Sequence, residues 1–210
     1  MVMDKKTELK KIEQEVALCR KCSLFKTATN PVPGNGDPEA EIMFIGEAPG
    51  YWEDQRGIPF CGAAGKLLDE LLSSLGLNRD KVFVGNVLKH RPPENREPRP
   101  EEVTVCQDFL DRQIKIIRPK TIITLGRFSM YKFLPLGKIS RDHGKGRIVE
   151  YNGLRVIFVP MFHPAAALRG AEVEQMLRED FKRIPEEIKR LEEQPKVVEE
   201  EAKEEQLSLI

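Results

Sequence analysis

The stretch from Glu41 to Phe60, EIMFIGEAPGYWEDQRGIPF, constrains the fold more than any other part of the chain. It begins with an apolar run that has the length of one buried parallel strand. The run stops at Gly46, and a carboxylate, Glu47, follows in a turn that contains Pro49. Open α/β folds bind their ligands in the loops that follow parallel strands. The pattern therefore predicts that this segment supplies acidic groups, backbone amides and an aromatic ring to one pocket.

The rest of the chain alternates predicted strands with predicted helices. Further apolar runs at residues 82–88, 121–125 and 156–160 are interpreted as strands. Segments 7–18, 66–72, 101–117 and 171–184 are interpreted as helices, and Pro185 is expected to begin another that reaches about Arg190. Strands that alternate with helices favour an α/β fold with a parallel sheet covered on both faces.

Length and charge limit the class of protein. The 210 residues suit one domain, predicted to span residues 1–190, and no apolar run approaches the roughly 20 residues that cross a bilayer. We expect a cytoplasmic monomer without a membrane partner, and the many charges and 15 prolines are typical of a thermophile protein. Residues 191–210 are interpreted as an acidic, disordered tail. The formal net charge is +0, but segment 186–205 holds nine acids and four bases, so the remainder is basic. Its basic clusters either contact phosphates or form an ordinary solvated surface, and charge alone does not decide between the two.

The four cysteines indicate a metal or redox site. Cys19 and Cys22 form a C-x2-C pair directly after the first predicted helix, and Cys61 and Cys106 lie further along the chain. In an intracellular chain such a pair is more typical of metal binding or redox chemistry than of a structural disulfide. Two more ligands are needed for a four-coordinate site.

Polar side chains follow three of the predicted strands. Glu47 comes after the first strand, Asn86 ends the second, and His163 follows the fourth. Because the carboxyl ends of parallel strands meet at one sheet edge, we expect these three side chains to converge beside Phe60. Such a group indicates a binding site.

Several motifs resemble those of family 4 uracil-DNA glycosylases, the iron–sulfur type. They are GEAPG at 46–50, Glu53-Asp54, G-x-P-F at 57–60, N-V-L-K at 86–89, R-P-P-x-N-R at 91–96 and HPA at 163–165. Their order matches the family, and the resemblance runs from about Leu9 to about Ile184. It implies a three-layer α/β/α sandwich with a four-stranded parallel sheet.

The resemblance also implies a DNA repair reaction in which uracil is flipped out and its N-glycosidic bond is hydrolysed. Asn86 suits the reading of the uracil edge, since an amide can both donate and accept. Phe60 would stack on the base, with Tyr51 or Trp52 at the pocket rim. His163 would donate to the departing base, assisted by the backbone of the turn through Ala48 and Pro49. Glu47 and Glu53 are both candidates for the carboxylate that stabilises the sugar and orients water, and the sequence does not divide their roles.

The metal site departs from the family pattern at one position. Cys19, Cys22 and Cys106 match family cysteines, but His90 stands where a fourth cysteine is expected. An imidazole can replace a thiolate on iron, so we predict a four-iron, four-sulfur (4Fe-4S) cluster held by these four residues. Zinc in a Cys3His site is one alternative, and Cys61 as the fourth ligand is another, although Cys61 is expected to pack as a small buried thiol.

The predicted partner is uracil-containing DNA. Arg91 and Arg96 lie in a loop that the cluster would pin against DNA, and Leu168 and Arg169 fall where the family inserts a loop into the duplex; Leu168 could equally be core. Two other functions of the same fold stay open, a non-catalytic lesion-binding protein and a relative that traps uracil-DNA covalently. The final five residues, beginning at Gln206, resemble the start of a sliding-clamp binding motif.

Overall fold

The chain folds as a mixed sheet with helices on both faces. The computed structural model describes residues 4–194. The six strands are β1 (Asn35–Gly36), β2 (Ile42–Gly46), β3 (Phe83–Asn86), β4 (Thr121–Leu125), β5 (Arg147–Tyr151) and β6 (Leu154–Met161). The helices are α1 (Lys5–Ala17), α2 (Tyr51–Arg56), α3 (Ala63–Ser74), α4 (Pro100–Ile117), α5 (Arg127–Tyr131), α6 (Ile139–Asp142), α7 (Pro164–Ala167) and α8 (Ala171–Glu192).

The four strands predicted from the sequence form the centre of the sheet, and all four are parallel. The strand order is β1-β3-β2-β4-β6-β5, with parallel pairing from β3 through β2 and β4 to β6. The prediction of a sheet with only four strands was wrong, because an antiparallel strand is added at each edge. The edge strand β1 has only two residues, and it lies in a stretch dense in turn residues that gives no strand pattern.

The other edge strand carried a signal that the sequence interpretation missed. Strands β5 and β6 form a hairpin joined by Asn152-Gly153, and both residues have positive φ, 51° and 75°. Asn-Gly between two strand-like runs is a typical two-residue hairpin loop, since both positions need the left-handed region. Reading that pair would have extended the predicted fourth strand back to Leu154 and revealed β5.

Alternate residues of the central strands face two separate apolar layers. Phe44 packs in a core formed with α3 and α8, which contribute residues such as Leu68 and Phe181. Met43 and Ile45 face the opposite layer, where they pack with α4 residues such as Ile114. A strand buried on both faces explains why β2 is a continuous apolar run. The three-layer α/β/α arrangement expected from the sequence is confirmed.

Helix α8 is longer than predicted. It continues through Pro185 as one helix to Glu192, so no separate helix begins at the proline. Leu191 is buried in the core beside α3 and the sheet, so the packed helix extends past residue 190. Residues 195–210, which include the remaining tail and Gln206, lie outside the described residues. Between residues 4 and 194, no helix is long and apolar enough to cross a membrane.

Candidate active site

Three polar side chains from separate parts of the sequence come from the same edge of the sheet. Asn86 ends β3, Glu47 directly follows β2, and His163 follows β6 by two residues. Gly46 and Asn86 are register partners on adjacent strands. The turn after β2 is tied to the chain after β3, because the amides of Val87 and Leu88 donate to the carbonyls of Gly46 and Glu47, both at 3.0 Å. Parallel pairing therefore brings these strand ends together, as the sequence predicts.

Gly46 leaves room at the centre of this edge. A Cβ at Gly46 would lie 2.3 Å from Asn86 Oδ1 and 2.7 Å from Phe60 Cζ. Both separations are too short for any side chain, so the position requires glycine. The Asn86 amide and the Phe60 ring thus both pack over Gly46, and a side chain at this position would displace one of them.

Phe60 is held in an unusual backbone conformation. Its φ is 52°, in the left-handed region that non-glycine residues rarely adopt. The Phe60 amide donates to the carboxylate of Glu53, and the Arg79 guanidinium donates to the Phe60 carbonyl at 3.0 Å. Such a conformation persists where the surroundings determine it, and these two contacts hold the Phe60 backbone in place.

Glu53 acts as an acceptor for backbone amides. Besides Phe60, its carboxylate accepts from the amide of Gly50 at 2.5 Å, which closes the first turn of α2. Burial raises the pKa of Glu53, and the two backbone amides and the Asn86 amide oppose that rise. Both carboxylate oxygens are therefore engaged in shaping the loop that carries Phe60.

Asn86 is the most unusual polar group of the site. It is 1% exposed, and neither its Nδ2 nor its Oδ1 has a hydrogen-bond partner. The amide faces Glu53 closely enough to lower the pKa of that carboxyl, but not in hydrogen-bonding geometry. A buried polar atom without a protein partner costs about 1–3 kcal/mol, so such groups are rare, and this amide is free to pair with a ligand.

His163 has a defined tautomer. It caps α7, and its Nδ1 accepts a hydrogen bond from the Ala165 amide at 3.0 Å. Burial, together with the positive charge of Arg169, lowers the pKa of His163 to about 4. The ring is therefore neutral at pH 7, and its proton sits on Nε2 because Nδ1 acts as an acceptor. The ring stacks on Phe60 with centroids 5.5 Å apart and an interplanar angle of 24°.

Glu47 is the free carboxylate of the site. It is half-buried, and within residues 4–194 it has no side-chain hydrogen bond or ion pair. Burial and the negative charge of Glu97 raise the pKa of Glu47 to about 7, and Arg127 opposes the rise. A carboxyl that titrates near neutral pH is typical of a group that exchanges protons or stabilises a transient charge.

Comparison with known proteins identifies the family. Residues 33–189 match the model of the uracil DNA glycosylase superfamily. The chain belongs to the uracil DNA glycosylase superfamily. It is 51% identical to a type-4 uracil-DNA glycosylase of Sulfurisphaera tokodaii over 182 residues, 84% of this chain and 83% of the relative. Identity is 51% with the type-4 protein of Archaeoglobus fulgidus (82% and 89% covered) and 47% with that of Saccharolobus solfataricus (82% and 83%). The resemblance to family 4 is confirmed.

In this superfamily member the predicted metal ligands lie in one region, beside α4. Cys106 is buried in an apolar cluster against which Cys19 and Cys22 pack, and the Lys89 amide donates to Cys106 Sγ at 3.3 Å. Cys19 and His90 line the same surface cavity. Among residues 4–194, however, no group of three or more His, Cys, Asp or Glu side chains is arranged so that it could hold a metal ion. The four residues share a region but not a complete coordination shell.

Cys61 lies elsewhere, in the loop that carries Phe60. Burial and the nearby Glu53 carboxylate raise the pKa of the Cys61 thiol. The expectation that Cys61 is a buried thiol was wrong in degree, because the residue is only partly buried.

The predicted DNA-contacting residues differ in their surroundings. Leu168 is 50% exposed at the end of α7, which excludes the core alternative, and Arg169 beside it is exposed. Arg91 is partly exposed in the loop after β3. Arg96 instead makes a bidentate ion pair with the buried Glu102, at 2.9 and 2.6 Å, so its guanidinium is already engaged.

Sequence reasoning missed three residues that support the site. Gly46 and Arg79 are described above, and Lys89 is the third. Lys89 is fully buried, and its ammonium donates to the Asn86 carbonyl at 2.9 Å and to Gln113 Oε1 at 2.8 Å. Burial lowers the pKa of Lys89 to about 8. A lysine at the end of an apolar run reads as a surface residue, so no pattern in the sequence announced this role.

Proposed function

We propose that this chain removes uracil from DNA by hydrolysing the N-glycosidic bond, leaving an abasic site. The observation on which this depends is the unpartnered amide of Asn86, buried next to the Phe60 ring at the end of a strand. Uracil presents an acceptor at O4 and a donor at N3, and one amide can pair with both. The family and the type-4 relatives support the same conclusion.

Recognition begins when the nucleotide leaves the base stack, because the buried amide cannot reach a base inside a duplex. Phe60 offers its ring to the flipped base, and Asn86 offers both partners of the uracil edge. The stability lost by leaving the Asn86 amide unpaired is regained when the base binds. A base that lacks this donor and acceptor pattern leaves the amide unsatisfied and is rejected.

Bond cleavage places negative charge on the departing uracil. His163 is neutral and carries its proton on Nε2, so it can donate to the O2 oxygen where that charge develops. A cationic imidazole would be a stronger acid, but burial keeps the ring neutral. The backbone of the turn at Ala48 and Pro49 borders the same edge of the sheet, and only Ala48 has an amide to offer.

The two carboxylates take different roles in this proposal. Glu47, without a partner, faces the sugar as it becomes cation-like, and in its ionised form it orients the attacking water. Glu53 is committed to the amides of Gly50 and Phe60, and so it positions the aromatic ring and leaves the chemistry to Glu47. In this proposal Glu47 acts on the sugar and the water, and Glu53 positions Phe60, whereas the sequence did not distinguish the two roles.

Contacts to DNA are assigned to exposed residues near the site. Leu168 suits insertion into the gap left by the flipped base, and Arg169 and Arg91 suit phosphate or base contacts. Arg96 supports the Arg91 loop through its ion pair with Glu102. Binding of a sliding clamp through Gln206, and a monomeric state, are kept as proposals that residues 4–194 do not address.

A 4Fe-4S cluster remains the proposed cofactor, with Cys19, Cys22, His90 and Cys106 as its ligands. The donors partly fit: three thiols and one imidazole lie in one region, and a backbone amide already points at one sulfur, a contact that tunes such clusters. The Cys3His set also suits zinc. Closing a coordination shell would tie α1 to the loop after β3, which is a structural function.

The test is an excision assay on a uracil-containing oligonucleotide. Wild-type protein should generate abasic sites, and Asn86→Ala and His163→Ala should each reduce the rate by about 100-fold or more, the loss typical of one transition-state donor. His143→Ala is the matched control, since this histidine pairs with Asp180 in a separate contact. A heat-stable protein–DNA adduct without abasic sites would instead support covalent trapping.

A further inference from the structure

Two large aromatic side chains are exposed at the start of α2. Tyr51 is 49% exposed and Trp52 is 55% exposed. The rings contact each other edge to face, with centroids 5.1 Å apart and an interplanar angle of 77°. Neither ring is needed to fill a core, so their exposure calls for another explanation.

Each ring is paired with a guanidinium group. The Arg91 guanidinium lies 5.2 Å from the centroid of the Tyr51 ring, and that of Arg56 lies 5.7 Å from the Trp52 ring. Within the described part of the chain, neither arginine forms an ion pair with a carboxylate. The two adjacent rings, with a guanidinium group at each end, therefore form one continuous surface that is at least partly exposed throughout, here called the stacking platform.

The platform borders the proposed uracil pocket. Glu53 follows Trp52 directly on α2, and its carboxylate fixes Phe60. The Trp52 ring also packs against Gly62, two residues beyond Phe60, where an added Cβ would lie 3.5 Å from the ring. A nucleotide next to a base bound at Phe60 would lie within reach of this surface.

We propose that the stacking platform binds unpaired bases that flank the uracil. The chain should therefore bind single-stranded DNA more tightly than duplex DNA, and at limiting substrate it should excise uracil faster from the single strand. Every base has a π face, and aromatic and guanidinium planes stack on such faces without regard to sequence. The bases of a duplex already stack on each other and are not free to do so. The unpaired positive charges of Arg56 and Arg91 match a phosphate backbone and favour nucleic acid over an apolar protein partner.

Trp52 provides a direct measurement, because it is the one tryptophan in the sequence. Its fluorescence should be quenched when the protein is titrated with a uracil-free oligothymidine, since a stacked base quenches an indole. A fully paired duplex of the same length should quench much less at the same salt concentration. Equal quenching by both, or none by either, would overturn the proposal.

Variants test the platform separately from the chemistry. Trp52→Ala and Tyr51→Ala should each weaken single-strand binding by about tenfold, the loss of roughly one stacked base, measured by anisotropy of a labelled oligothymidine. Trp52→Phe should recover most of the affinity. Tyr131→Ala removes an exposed aromatic outside the platform and should leave affinity within about twofold. Loss in Tyr131→Ala equal to that in Trp52→Ala would contradict a specific platform.

The stacking platform rests on the proposed function only in that the bound strand is taken to be uracil-containing substrate DNA. Oligothymidine binding does not require excision, so the platform can fail while wild-type protein still removes uracil, and it can hold if no excision occurs. When excision is measured, Trp52→Ala should lower the rate on single-stranded uracil DNA at limiting substrate by about tenfold and lower the duplex rate by a smaller factor. An equal reduction on both substrates would place Trp52 in the pocket and refute the single-strand role.

Discussion

At the scale of single residues, the site is defined by what its groups lack. Asn86 lacks hydrogen-bond partners, Glu47 lacks a counter-ion, and Gly46 lacks a side chain. In the proposed function, a bound nucleotide pairs with the Asn86 amide and lies beside the Glu47 carboxylate. Glu53, in contrast, is fully engaged, which is why we assign it to positioning. Two predictions belong to this scale.

The first concerns the pH dependence of excision. Because the pKa of Glu47 is raised to about 7, the carboxylate becomes protonated as pH falls through that value, and the rate with saturating single-stranded substrate should fall with it. His163, with a pKa of about 4, adds nothing in that range. Glu97→Gln removes a charge that raises the pKa of Glu47, so its acidic limb should move to lower pH.

Arg127→Gln serves as the opposing variant, since Arg127 lowers the pKa of Glu47 and its loss should move the limb to higher pH. A wild-type limb near pH 4, or identical profiles for the two variants, would show that Glu47 is not the titrating group.

The second concerns Gly46. Gly46→Ala should abolish measurable excision while the protein stays folded by circular dichroism, because the new methyl group would meet Asn86 Oδ1 and the Phe60 ring. Gly85→Ala is the matched control: it lies one residue before Asn86 on the adjacent strand, and its Cβ would have ordinary contacts of 3.7 Å or more. Full activity in Gly46→Ala would mean that Asn86 and Phe60 do not hold the base.

At the scale of elements, short connections hold the site together. The loop between β3 and α4 carries Arg91 outward, and it is anchored by Arg96 on Glu102, which also accepts from the Arg99 amide at the start of α4. The sequence grouped Arg91 and Arg96 as equivalent basic residues of one loop. Only the tertiary structure distinguishes the two arginines. Arg96 pairs with Glu102, which the first turn of α4 holds in a buried position, whereas Arg91 stays partly exposed.

This difference gives a paired prediction. Arg96→Ala removes the ion-pair partner of the buried Glu102 carboxylate, which then keeps only the Arg99 amide, and should lower the free energy of unfolding, measured by urea denaturation. Arg91→Ala should leave the free energy of unfolding nearly unchanged. It should reduce the slope of log affinity for DNA against log salt concentration by about 1, the value expected for one phosphate contact. The double variant Arg96→Ala/Glu102→Gln should lose less stability than the two single variants combined. If Arg91→Ala lost stability and Arg96→Ala changed only DNA binding, Arg91 would be the structural residue and Arg96 the DNA contact.

At the scale of the whole molecule, two regions meet in the segment that follows β3. Asn86 belongs to the pocket, and Lys89 and His90, a few residues later, adjoin Cys106 and the cavity beside Cys19. The Lys89 ammonium links the two regions, because it bonds the Asn86 carbonyl while its own amide points at a proposed metal ligand. If the proposed metal is bound, its loss should therefore reduce excision at the Asn86 site as well as overall stability.

The prediction at this scale is that the purified chain contains iron and absorbs visible light as an iron–sulfur protein. Cys106→Ala should lose the chromophore and lower the melting temperature, and removal of iron with a chelator should do the same. Cys61→Ala should keep it, which tests the alternative fourth ligand, and His90→Cys should keep it as well. A colourless protein with one zinc per chain would replace the cluster with a Cys3His zinc site.

The four parallel strands, the alternation with helices and the residues at the strand ends could be predicted from the sequence, because they depend on local apolar runs and on where each run stops. The sequence also contained the Asn-Gly turn that marks the β5–β6 hairpin. Tertiary structure alone decided which partner each polar group acquires. Glu47 stays free while Glu53 is bound by amides, Arg96 is anchored while Arg91 is exposed, and Lys89 is buried against Asn86. These outcomes depend on distances between segments far apart in the chain, and no local pattern of residues encodes them.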